Sequence, residues 1–75
     1  MKRSITAAEI KTLATKVANC QVGKPDSSWP YYLKAKRARF MASEALAYLS
    51  DKRYEVSPRS TQAVRDWSAR ILSEY

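Results

Sequence analysis

The sequence predicts an all-α fold, a small three-helix bundle, on three observations. Three segments place apolar residues at helical spacing, and each is bounded by start or stop signals. Glycine occurs once and proline three times in 75 residues, too sparse for a fold built on tight turns. Apolar residues make up 45% of the chain, enough for a core and too many for a disordered tail. The length fits one domain spanning 1–75, of a size that buries only about 60% of its unfolded surface.

The first helix is expected over about residues 6–21. Thr6 is a natural N-cap, and Glu9 three residues later completes a capping box. Ile5 and Ile10 fall at the two positions of a hydrophobic staple. Ile10, Leu13, Ala14, Val17 and then Cys20 or Gln21 form the buried stripe, with Lys11 and Lys16 facing away. Gly23 is the stop signal, and Pro25 follows it.

The second helix is expected over about residues 30–50. Asp26, Ser27 and Ser28 offer cap oxygens, and Pro30 is tolerated in a first turn. Ala38, Met41, Ala42, Ala45, Tyr48 and Leu49 converge on one side, where alanine lets a neighbouring helix approach closely. Leu33, Phe40 and Ala47 lie on roughly the opposite side. A helix apolar on two sides is sandwiched, so the third helix is expected to cover this strip; left uncovered, it would serve a homodimer rather than a monomer.

The third helix is expected over 58–74. Ser57 is the N-cap and Pro58 the first helical residue. Val64, Trp67, Ile71 and Tyr75 form its buried stripe. Arg59, Gln62, Asp66, Arg70 and Ser73 form its solvent face, with Asp66 and Arg70 as an i,i+4 pair.

The residues exclude most chemistry. The chain has no histidine, which removes the usual general base and the commonest metal ligand. One cysteine and seven scattered acids give no metal-ligand spacing, and a lone glycine cannot build a phosphate-cradling loop. The chain is therefore expected not to be an enzyme, with no metal, no cofactor and no small-molecule substrate. Cys20 reads as a small core residue in a reducing compartment. No apolar run approaches the ~18 residues of a membrane span. Thr6 and Glu9 interrupt the segment after Met1-Lys2-Arg3, unlike a secretory signal, so a cytoplasmic location is expected.

Charge points to a binding role. Fourteen Lys and Arg stand against seven Asp and Glu, a net charge of +7, which favours association with polyanions or acidic surfaces. Residues 55–75 carry three of each sign and contribute nothing to it. The richest stretch is Trp29 to Phe40, with four cations and four aromatic rings in twelve residues. Cations attract phosphates, and aromatic faces stack on bases or bury against a partner. The expected contact residues are Tyr32, Lys34, Lys36, Arg37, Arg39 and Phe40 in this helix. Lys24, Lys52 and Arg53 in the flanking loops are expected to extend the patch. Nucleic acid is the first expected partner. The alternative is an acidic surface of a protein or nucleoprotein complex, bound through the same helix. Small basic chains of this kind are common in phages and mobile elements, where many inhibit host defence or replication machinery.

The segment Ser57-Pro58-Arg59-Ser60-Thr61-Gln62-Ala63-Val64-Arg65-Asp66-Trp67 resembles the recognition helix of helix-turn-helix proteins, phage excisionases and related winged regulators among them. The similarity is local. It implies base contacts from Arg59, Gln62 and Arg65, with Ala42 to Leu49 as the preceding helix. The connection from Asp51 to Val56 is longer than the usual turn, the segment carries Asp66, and no recognisable wing follows.

Overall fold

A computed structural model describes all residues, Met1–Tyr75. The elements run β1 (Arg3–Ser4), α1 (Ala7–Gln21), α2 (Tyr31–Leu49), β2 (Tyr54–Glu55) and α3 (Pro58–Glu74). The architecture is the three-helix bundle that the sequence predicts, with one addition. β1 and β2 pair in parallel, Arg3 opposite Tyr54 and Ser4 opposite Glu55. The Arg3 N–H donates to the Arg53 carbonyl at 3.0 Å, and the Ile5 N–H donates to the Glu55 carbonyl at 3.1 Å. This pairing ties the segment before α1 to the α2–α3 connection.

The caps explain where the helices begin. Thr6 accepts from the Glu9 N–H at 3.2 Å, and the Glu9 carboxylate accepts from the Thr6 N–H at 3.3 Å. Ser57 accepts from the Ser60 N–H at 3.1 Å. α2 differs from expectation, because Asp26 bonds Ser28 within the loop and no side chain caps the helix. Pro30 itself takes the N-cap position, in extended backbone.

Small residues dominate the fully buried positions. Ala14 and Ala18 of α1, Ala35, Ala38, Ala42 and Ala45 of α2, and Ser68 of α3 all lie in the interior. The Ser68 hydroxyl donates to the Ala42 carbonyl at 3.4 Å, which fixes how near α3 lies to α2. Larger side chains gather at the strand end. Ile5, Ile10 and Val64 are buried there, with Tyr48, Leu49, Tyr54, Val56 and Trp67 packed around them. The staple Ile5–Ile10 thus anchors the core, and the opposite end of the elongated 43 × 23 × 16 Å molecule is left lightly filled.

Three expectations for side chains are corrected. Cys20 is exposed, not a core residue. The buried face of α1 follows Ile10, Ala14 and Ala18 at every fourth position, which turns Cys20 outward. Lys11 does not face away: its ammonium lies 5.6 Å from the Trp67 ring centroid, where the ring face attracts a cation. Asp66 accepts from Gln62 at 2.8 Å and makes no ion pair with Arg70.

Gly23 ends α1 with φ at 122°, backbone that other residues adopt only under strain. A Cβ placed there would stand 3.2 Å from Cζ2 of Trp29. Gly23→Ala should therefore cost about 1–3 kcal/mol of stability. Thermal unfolding followed by circular dichroism should show a Tm lowered by about 5 °C or more.

Candidate nucleic-acid interface

The contact residues expected from the sequence separate into four places. Arg37 is a structural residue: its guanidinium donates to Asn19 Oδ1 at 2.7 Å and to the Gly23 carbonyl at 3.2 Å. It thereby holds the C-terminal end of α1 against α2, where unpaired carbonyls favour a cation. Lys34 points to the other flank. It borders a cavity of about 470 Å³ between the 22–30 loop, α2 and the end of α3, whose apolar wall includes Trp29, Met41 and Ile71. Asp26 and Glu74 also line this cavity, so its charge is mixed.

Lys52 and Arg53 sit beyond the C-terminal end of α2, roughly 28 Å from its start. Arg53 is engaged there by Asp51, Nη2 to Oδ2 at 2.7 Å, and its guanidinium lies 5.4 Å from the Tyr54 ring centroid. The hydrogen bonds from Arg53 hold the Asp51 carboxyl below its ordinary value of 3.8. Lys24 is exposed in the loop before α2, at the opposite end of that helix. The flanking cations therefore do not extend one patch.

Tyr32, Lys36, Arg39 and Phe40 do come together. With Tyr31, Ala35 and Ser43 they line an open concavity of about 600 Å³ along the outer side of α2. Their spacing at i, i+4, i+7 and i+8 places them on one helical face. Tyr32 is 71% and Tyr31 64% exposed, while Phe40 is half-buried. Phe40 thus contributes to both core and surface. The third helix does not cover this side, contrary to the sandwich expectation, because α3 packs on the alanine stripe through Ala42 and Ser68. Leu33 is half-buried and Ala47 exposed.

The C-terminal end of α3 meets the edge of this face at Arg39 and Tyr31. Ser68 touches the α2 backbone, and Arg65 and Leu72, three before and four after it, share one flank of α3. Both are exposed, Leu72 to 43%. The α3 end is fastened to α2 by Arg39, which donates to the Tyr75 carbonyl. The rings of Tyr31 and Tyr75 stack beside it with centroids 6.1 Å apart.

None of the seven residues lining this concavity is an acid, and Glu44 stands one turn beyond Phe40 on α2. Glu9 pairs with Arg3 at 3.7 Å, and Asp51 with Arg53, both at the strand end. Asp26 is bound to Ser28, and Glu74 lines the mixed cavity. Glu44 borders a small cavity with Asp51 and Arg53, and Glu55 lies in β2. Asp66 is one turn from Gln62, on the outward face of α3 with Arg59. Arg59 and Gln62 thus share their face with an acid, whereas Arg65 is exposed three residues before Ser68.

No cluster of His, Cys, Asp or Glu is arranged to hold a metal ion. No helix is long and apolar enough to cross a membrane. Comparison with known proteins returns no match, whether to a family model, a curated protein or a solved structure.

Proposed function

We propose that this chain is a non-enzymatic nucleic-acid-binding protein whose contact element is the N-terminal half of α2. The observation that carries the reading is the acid-free concavity where Lys36 and Arg39 flank the rings of Tyr32 and Phe40. The cations supply attraction to phosphates without reading sequence. The rings supply flat apolar area that phosphate contacts alone do not need. Arg65, exposed on α3, is the third cation assigned to the contact.

Binding of a labelled oligonucleotide, followed by fluorescence anisotropy at increasing salt, tests the reading. With Lys36, Arg39 and Arg65 each on a phosphate, log Kobs should fall with log salt at a slope of about −2. A folded protein that retains no DNA or RNA at low salt would defeat the proposal.

A second reading has its own support. Tyr31 and Tyr32 are large exposed aromatic residues that line the concavity with Arg39, a composition enriched in protein-binding hot spots. On that reading the same face docks on an acidic protein surface, and capture of one defined partner should survive nuclease treatment.

A further inference from the structure

Within the nucleic-acid reading, on which this inference rests, we infer that the face binds unpaired strands in preference to duplex. In a duplex the base faces are stacked on one another, and a protein meets only base edges and backbone. An aromatic ring gains from a nucleic acid chiefly by lying on the face of a splayed base. Tyr32 is mostly exposed, and Phe40 lies eight residues further along the same side of α2, roughly 12 Å by helical rise. Lys36 lies between them, and Arg39 lies beside Phe40. Cations set between rings along a groove suit a single-strand platform, where phosphates follow the charges and bases meet the rings.

The shape of the face agrees. Reading a major groove requires a helix that projects into it. The outer side of α2 instead carries an open concavity of about 600 Å³ between its own side chains. The helix that resembles a recognition helix presents Arg59 and Gln62 beside Asp66, and Gln62 is already bonded to that carboxylate. An acid at a duplex backbone would repel phosphate, whereas none lines the concavity.

The test uses three probes: a short homopyrimidine strand, the same strand with its bases replaced by abasic sites, and its duplex. The abasic strand keeps the phosphates and removes the stacking partners. At low salt the strand should bind about tenfold or more tighter than the abasic strand, as loss of one stacked base implies. The duplex should also bind more weakly than the strand. Tyr32→Leu should reduce strand binding to the abasic level, while Tyr32→Phe should keep it. Both variants should retain the wild-type Tm, because Tyr32 is 71% exposed. Equal binding of strand and abasic strand, or tighter binding of duplex, overturns the preference for unpaired bases and leaves the nucleic-acid reading standing. Failure of all three probes to bind overturns both, and points the face to an acidic protein surface.

Discussion

Ala42→Leu should cost the domain about 3 kcal/mol and lower its Tm by roughly 12–20 °C. The expectation follows from how α2 and α3 meet. Ala42 is fully buried near the middle of α2, and Ser68 of α3 is fully buried opposite it. The Ser68 hydroxyl reaches the Ala42 carbonyl at 3.4 Å, so α3 lies directly against the α2 backbone. A leucine adds three carbons where close-packed interiors leave no void of that size. Relief requires the helices to separate, which breaks the Ser68 bond and loosens the neighbouring Ala38 and Ala45 contacts. Helix propensity does not enter, since leucine ranks close to alanine. A domain of this length has a total stability of only about 4–11 kcal/mol, so the loss is a large fraction of it. Ala47→Leu adds the same carbons at an exposed position of the same helix and should leave Tm within a few degrees. Equal Tm values for the two variants would mean that the α2–α3 interface is not the close packing described.

The helices were legible because their boundaries are written locally. Thr6 with Glu9, Gly23, and Ser57 with Pro58 each act within one turn of chain, and each acts as expected. The strands were not legible, since two residues show no periodicity. Their pairing joins Arg3 to Tyr54, and only the assembled helices bring those positions together. The misplacement of Cys20 has a similar origin. A stripe drawn along the helix axis reaches Cys20, but the buried row follows every fourth residue to Ala18, as ridge packing between inclined helices requires.

The candidate site was half legible. Its residue types and their place on α2 could be read from the sequence, but the fate of each cation depends on tertiary partners. Arg37 is spent on the end of α1, Lys34 turns toward a mixed-charge cavity, and Arg53 is neutralised by Asp51. What sequence reasoning could not count was the acids. Seven of them are scattered along the chain, and only the fold shows that none of them lines the concavity on α2.

Reversing Lys36 and Arg39 together, as K36E with R39E, should weaken oligonucleotide binding by about 100-fold or more at low salt. Two phosphate contacts are lost, and two carboxylates then oppose the strand. The salt slope should become shallower by about 1.4, or about 0.7 for each lost contact. The fold should survive. Both residues are exposed, and the only intramolecular bond lost is that from Arg39 to the Tyr75 carbonyl. An exposed bond of this kind contributes about 1 kcal/mol or less, so Tm should fall by a few degrees at most. The decisive comparison is R59E with R70E, which changes the net charge by the same amount on the outward face of α3. Diffuse attraction by a positively charged protein would make the two double variants equally weak. A helix-turn-helix mode would make the Arg59 variant the weaker one. A site confined to the acid-free concavity requires the α2 variant to lose at least tenfold more than the α3 variant, because only there do cations and rings act on the same strand.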